Sequence, residues 1–519
     1  MSRSYDAVVI GAGHNGLTAA GLIAKRGRRV LVVERRDVIG GMAASEEFHA
    51  GFRSAGLLHD TSGVRQSVVE ALDLTRHGLV ATAGRPDVLA LTPGGGAIPV
   101  HGDDERAVAA LERHLPDDAP RYREYRGFLA RMRPVLREFL ERPAIDLTDF
   151  ESISVWEGLT RALGIRRLGR NDMMELLRLP PMCVGDWLAE WFSSEHLRSA
   201  LALPAVAGSF LGPRSPGSNF NLLLYEAASG RAVAKGGPML VAALERAARH
   251  HGAELQTGSP VARLLAGSSG VEGVVLDSGE EVRARMVAAS CDPSQVFLHL
   301  LPPGVIPSTL EHQVSKLRTQ GTTAQVVLAV QGPVRFAGAP EASWEFARLC
   351  GSIEALERAF DPVKYRALPE RPALDVHVPT EVDADLAPAG DSVVSVLAHF
   401  VPYDLEGGWD DTARSRLAKG IVEQLEEHVP GLSRRIVGTQ VSCPVDLESR
   451  YGMTGGNIHH IDHALDQRLL RPAPGCCRYE TPVRGLVLCG SGSHPGGGLT
   501  CAPGAMAASV LLHHGARRL

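Results

Sequence analysis

Asp6-Ala7-Val8-Val9-Ile10-Gly11-Ala12-Gly13-His14-Asn15-Gly16-Leu17 is the stretch on which the reading of this chain turns. Ala7 to Ile10 is a continuously apolar run, the pattern of a short strand buried on both faces. It leads directly into Gly11-x-Gly13-x-x-Gly16. A helical pattern follows, with Leu17, Ala20, Ile23 and Ala24 on one side and Gly27 just past its end. Val30-Leu31-Val32-Val33-Glu34 then predicts a second buried strand. Strand, glycine turn, helix and strand make a complete βαβ half. Gly11 permits the tight turn, Gly13 lets the backbone approach a pyrophosphate, and Gly16 lets helix and strand pack closely. The helix N-terminus, which opens at His14 and Asn15, would face the phosphates. Glu34 ends the second strand, where a carboxylate accepts hydrogen bonds from ribose hydroxyls. An acid there disfavours a 2′-phosphate, so the expected nucleotide is FAD or NAD rather than NADP.

The continuation Glu34-Arg35-Arg36-Asp37-Val38-Ile39-Gly40-Gly41-Met42 narrows the choice. Gly40-Gly41 would let a second loop lie against the pyrophosphate. The far end of the chain points to the same place. Leu486-Val487-Leu488-Cys489-Gly490 reads as a strand ending in glycine, followed by Ser491-Gly492-Ser493-His494-Pro495-Gly496-Gly497-Gly498-Leu499 and a helical Ala502 to Leu512. Only 29 residues follow Gly490, too few for a second nucleotide domain. The segment is therefore expected to return to the first domain, its helix N-terminus near the electron-accepting end of a flavin ring.

The remainder of the chain sets limits. At 519 residues it is long enough for two or three structural units and for large cores without disulfide or metal staples. Hydrophobic residues make up 44% and charged residues 22%, both ordinary for a globular protein. A formal charge of −5, from 54 basic and 59 acidic side chains, gives no reason to expect nucleic acid as a partner. The basic residues are nearly all arginine, a bias typical of GC-rich bacterial coding. None of the eight cysteines forms CxxC or zinc spacing, and no metal is expected. The vicinal Cys476-Cys477 reads as two small side chains in a turn rather than a redox pair. Without a secretion signal or an apolar run near 20 residues, a cytoplasmic protein with reduced thiols is expected. Peripheral membrane contact and a homodimer stay open.

Texture divides the chain. Residues 1–77, 236–300 and 485–519 are expected to form a discontinuous nucleotide-binding domain. Residues 78–235 and 301–484 would form a substrate-binding domain. Within it, 78–235 reads as a mostly helical insertion, with helices expected over Glu105–Leu115, Arg121–Glu141 and Asp186–Leu203. The fold class is α/β (α+β overall). Strands are expected at Val261–Leu265, Val271–Leu276, Val282–Ala289, Ala324–Val330 and Ser392–Phe400, and helices at Met239–His251 and Thr412–His428.

These motifs resemble the phytoene dehydrogenase-like flavoproteins, and within them the pyridine nucleotide-disulfide oxidoreductase domain-containing protein 2 group. The resemblance rests on Tyr5 to Leu17, Glu34-Arg35-Arg36, Ile39-Gly40-Gly41, Tyr451-Gly452-Met453-Thr454-Gly455-Gly456-Asn457-Ile458-His459-His460 and Leu488 to Gly498. It implies a Rossmann-like FAD-binding domain of the amine oxidase/phytoene desaturase type, with an inserted substrate domain of sheet plus helices. It implies FAD as cofactor, held by Gly11, Gly13, His14, Asn15, Gly16, Glu34, Arg35, Gly40, Gly41, Met42, Gly490, Ser491, Gly498 and Leu499, with the Val261 backbone against the adenine. It also places Lys235-Gly236-Gly237-Pro238-Met239 as a glycine loop leading into a helix beside the flavin. Met42 stands where the family commonly has Arg, and Cys501 and Ala505-Met506 also depart from its pattern.

The chemistry expected is dehydrogenation of a hydrophobic small molecule, isoprenoid-like or a specialised metabolite, by hydride transfer to the flavin ring nitrogen N5, with oxygen or a quinone as the electron acceptor. His459, His494 and His59 are the candidate acid–base groups, since imidazole titrates near neutral pH. His59-Asp60 could act as a pair, and His459-x-x-x-His463 has helical spacing. An amine oxidase is the alternative enzyme, though aromatic residues at 5% offer little for an ammonium cage. A flavoprotein with mainly a partner-binding or assembly role is the alternative of another class. Neither GxSxG nor GxxxxGK[ST] is present, which disfavours hydrolases and kinases.

Overall fold

The computed structural model describes residues 3–144 and 163–516. Two seven-stranded sheets organise them. The first is built from the chain's first residues. Strand Arg3–Ile10 lies between Val30–Val33 and Glu281–Ala289, parallel to both, and Glu254–Gln256 extends the sheet beyond Val30–Val33. All four residues of Val30–Val33 are buried, as their unbroken apolar run requires. Strand Glu281–Ala289 has a divided role. Its first half pairs antiparallel with Gly270–Leu276, which continues to Val261–Gly267. Its second half pairs parallel with Leu486–Leu488. The end of the chain thus joins the same sheet as its start.

Three helices cover one face of this sheet. His14–Lys25 packs against both Gly236–His250 and Ala502–Ala516. Leu17, Ile23, Leu240, Leu244, Ala507 and Ala508 share one apolar core there. The approach of the last helix is close enough to dictate composition. A Cβ on Gly504 would stand 2.2 Å from the Asn15 carbonyl.

The second sheet runs in the order Ile436–Ser442, Thr323–Val330, Ser392–His399, Ala373–His377, Phe346–Leu349, Val88–Thr92, Gly96–Val100. The last two strands lie at the start of 78–235, ahead of its helices. Val88–Thr92 pairs parallel with Phe346–Leu349 and so ties the start of the insertion to the second sheet. Alternation gives the sheet two different faces. Val326, Leu328, Leu374, Val376, Val394 and Val396 turn into one apolar core beneath helix Asp411–Glu426. Arg348, Asp375, His377, Ser395, Leu397, His399 and Gln325 occupy the alternate positions.

Helices cover that second face. Ala119–Glu141, Glu195–Val206 and Ser218–Ala228 pack together around Tyr122, Tyr125, Phe128, Trp187 and Phe192. The single helix expected over Asp186–Leu203 is two, Val184–Trp191 and Glu195–Val206. Ser194 starts the second by accepting from the Leu197 N–H, a side-chain cap that breaks the run. A buried ion pair, Arg126 Nη1 to Glu226 Oε2 at 2.6 Å, fastens the long helix to Ser218–Ala228. The part of the insertion at 145–162 lies outside the described residues. No helix among the described residues is long and apolar enough to cross a membrane.

Candidate active site

Two cavities lie side by side, and the residues foreseen from sequence divide between them. The first, a cleft of 390 Å³, opens at the carboxyl ends of the first sheet's parallel strands, where the order of connections reverses. Gly11, Gly13, His14, Asn15, Glu34, Arg35, Gly41, Met42, Val261 and Ser491 all line it. Gly13 has nothing within 4 Å of where a Cβ would be, so its face is bare backbone open to the cleft. Gly16 does not line the cleft and serves packing instead. A Cβ there would stand 1.9 Å from the Gly11 carbonyl. Gly40 is likewise structural. Its N–H donates to the Ala12 carbonyl at 2.9 Å and it bridges to Gly13, which lays the second glycine loop against the first. Gly490 packs on the Ser290 carbonyl, which a Cβ would approach to 2.3 Å.

Glu34 is buried at the cleft's edge. Its carboxylate accepts from the Ala12 N–H at 2.8 Å and the Arg36 N–H at 3.0 Å, which fixes its position and leaves lone pairs over. Arg35 reaches across to the Ser449 carbonyl at 2.6 Å. Several buried polar atoms around the cleft lack a protein partner: His14 Nε2, Asn15 Oδ1, Asp292 Oδ2, Arg36 Nη1 and His460 Nδ1. Burial holds the His14 imidazole down at about 4 and that of His460 at about 3, and raises the Asp292 carboxyl to about 6. Buried donors and acceptors left open around a glycine-walled cleft fit a long polar ligand with its own donors and acceptors. Asp292 was not foreseen, and its only sequence signal was its place just after a buried strand. His460 belongs to the Tyr451–His460 run on which the resemblance rests.

The second cavity, a chamber of 200 Å³, lies between the polar face of the second sheet and the helices. His59, His459, Gly498 and Leu499 line it. His494 lines neither cavity. Its Nε2–H donates to the Phe139 carbonyl at 2.8 Å and its ring meets Phe139 edge-on, so it holds the long helix to the glycine loop. This departs from its expected catalytic place. His459 and His463 are not on a helix. Their rings stack face to face, with centroids 3.7 Å apart. His459 Nε2–H donates to the Ala207 carbonyl at 3.0 Å, so in the neutral ring Nδ1 carries the lone pair. That atom has no partner. Burial, foremost, with Arg468 and Arg471 nearby, lowers the His459 pKa to about 3. His59 bonds Ser395 Oγ at 2.9 Å rather than Asp60, and burial likewise keeps it neutral.

The chamber also collects groups that no linear motif announced. Arg65, Arg348, Arg468, Asp60, Asp375, Tyr225 and His399 come from six separate segments. Consecutive residues His459 and His460 line different cavities, and the 491–500 loop borders both. Cleft and chamber therefore share a wall.

Comparison with known proteins agrees with this architecture. Residues 9–65 match the family model of an NAD(P)-binding Rossmann-like domain. The chain is 33% identical to pyridine nucleotide-disulfide oxidoreductase domain-containing protein 2 of Rattus norvegicus, over 98% of this chain and 94% of the relative. It is 28% identical to a limonene dehydrogenase polypeptide of Castellaniella defragrans, again over 98% and 94%. In fold it is similar to cyclohexylamine oxidase from Brevibacterium oxydans, with a TM-score of 0.57 at 15% identity, covering 99% of this chain and all of the other.

Proposed function

This chain belongs to the pyridine nucleotide-disulfide oxidoreductase domain-containing protein 2 family and is an oxidoreductase; on that premise we propose that it is an FAD-dependent dehydrogenase of a largely apolar small molecule. The observation that carries the proposal is the shared wall. A nucleotide-sized glycine cleft ends where the chamber begins, and His459-His460 and the 491–500 loop belong to both. In this reading residues 1–77, 236–300 and 485–519 hold the cofactor, and the second sheet with its helices holds the substrate.

The residues fit FAD. Gly13 and Gly41 offer bare backbone to a pyrophosphate at the N-terminus of helix His14–Lys25, Glu34 accepts from ribose hydroxyls, and Val261 flanks the adenine. When bound, FAD supplies a two-electron acceptor for a hydride from a substrate carbon. The chain's own groups do the rest. Leu58, Leu140, Leu224, Leu397, Ile458 and Leu499 exclude water and pack an apolar body. His59 and His459, held neutral by burial, offer hydrogen bonds without placing a charge beside the reacting carbon. His459 Nδ1 is a hydrogen-bond acceptor for a substrate hydroxyl. His494 positions the loop that borders both cavities.

Purified protein is expected to carry FAD or to take it up in a titration. The flavin absorbance of that protein should bleach under anaerobic conditions with an apolar substrate bearing a saturated carbon pair. Bleaching by amines and not by such compounds would instead indicate an amine oxidase. A folded protein that takes up no FAD would overturn the reading.

A further inference from the structure

Among the described residues, Arg65 is the guanidinium of the chamber that makes no side-chain hydrogen bond. It is 6% exposed, and its backbone N–H is fixed to the Thr500 carbonyl at 3.0 Å, beside the loop that borders both cavities. Its guanidinium Nε and Nη2 are buried without a hydrogen-bond partner. The other two guanidiniums of the chamber each have a hydrogen-bond partner. Arg348 donates through Nη1 to the Ala200 carbonyl at 3.0 Å, and its Nε, buried without a hydrogen-bond partner, lies 3.8 Å from the Asp375 carboxylate. Arg468 donates to Asn221 Oδ1 at 3.1 Å and to the Pro495 carbonyl. Among the described residues that line the chamber, three guanidiniums thus face two carboxylates, Asp60 and Asp375, with Asp462 behind Arg468 outside the lining, and the histidines beside them are neutral. Near Arg65 itself stand the exposed Glu141, which favours its charge, and Arg137, which opposes it. A buried guanidinium is costly unless an anion meets it, and its planar fork matches a carboxylate.

We propose that Arg65 binds the anionic headgroup of the substrate, and that the substrate is an apolar monocarboxylic acid whose hydrocarbon body lies against the leucines of the chamber. The inference rests on the dehydrogenase reading and specifies its substrate class. It also accounts for a chamber both lined with leucine and furnished with one excess positive charge. An amine would add a second uncompensated cation to that space.

The test separates headgroup, cofactor and fold. Protein loaded with FAD is titrated calorimetrically with a series from butanoate to dodecanoate, and with the matching amides and amines. Wild type, Arg65→Gln and Arg65→Lys are compared, and FAD affinity is measured separately for each. The acid of the preferred length should bind about tenfold or more tightly than its amide, the strength of a charge-assisted pair. Arg65→Gln should erase that preference, Arg65→Lys should keep part of it, and FAD affinity should be the same in all three. The proposal is overturned if no acid of the series binds wild type, or if amide or amine binds as well as acid. It is equally overturned if Arg65→Gln weakens FAD while the acid-to-amide ratio stays unchanged, since the guanidinium then serves the cofactor. Failure to take up FAD would overturn the dehydrogenase reading, and the acid preference of the unloaded protein would still be measurable.

Discussion

The cleft and the chamber are built by opposite means. The cleft is shaped by backbone: Gly11, Gly13 and Gly41 line it, Gly16 and Gly40 hold the two loops together, and side chains such as His14, Asn15, Glu34 and Asp292 complete its wall. The chamber is mostly side chain. It brings arginines, aspartates and histidines from distant strands and helices onto the covered polar face of a sheet. A backbone site binds what every dinucleotide shares, and it tolerates little change in shape. A side-chain site decides which substrate enters, and its stability depends on keeping buried charges and imidazoles satisfied.

That contrast can be broken most severely by acid. His399, His459 and His460 are lowered by burial to about 3, and His14 and His494 to about 4, from an unfolded value of 6.5. The unfolded chain therefore binds more protons as pH falls. Stability is whole above pH 6.5 and is lost between 6.5 and the folded values, each histidine costing about 1.4 kcal/mol per pH unit in that window. Thermal melts across pH 4 to 8 should show Tm level above the window and falling steeply within it. A Tm as high at the acid end as at neutrality would show that these imidazoles are not buried neutral.

Glu226→Ala tests the chamber's helical wall. It removes the buried partner of Arg126, 6% exposed, and leaves it only the half-exposed Asp104 at 2.9 Å, which should cost about 3 kcal/mol in denaturant unfolding. Replacing both partners with apolar residues should recover much of that. If the single change is silent, the pair is not buried in solution.

Two glycines sharpen the cleft. Gly16→Ala places a methyl 1.9 Å from a carbonyl and should cost about 3 kcal/mol along with cofactor retention. Gly13→Ala meets no protein atom within 4 Å, so Tm should hold while FAD affinity falls. Equal melting temperatures for the two variants would contradict the division into packing and ligand-facing glycines. The smallest effect is expected of Glu34→Gln. Its amide can donate where the carboxylate only accepts, and FAD affinity should drop about tenfold with the fold intact. An unchanged affinity in a direct FAD titration would remove Glu34 from the ribose site.

Much of the cleft could be read from residues 5–42 because its parts are adjacent in sequence and each glycine answers a local constraint. Gly16 packs helix on strand as its spacing predicts, while Gly40 and Gly490 meet protein backbone rather than line the cleft, since spacing does not distinguish a glycine that touches a ligand from one that lets two backbones meet. The helix boundaries moved for similar reasons, as at Ser194, where a cap outweighed the apolar periodicity.

Sequence alone determined that a βαβ nucleotide unit opens this chain and that a strand, glycine loop and helix follow Gly485, because hydrophobic period and glycine spacing are local. Tertiary structure alone decided what the second sheet does with its alternate residues. In Phe346–Leu349, Ala373–His377 and Ser392–His399, the polar residues Arg348, Asp375, His377, Ser395 and His399 alternate with the apolar residues of the other face. The helices that close over them lie far off in sequence. Only that covering turns Arg348, Asp375 and His399 from surface groups into the lining of a chamber.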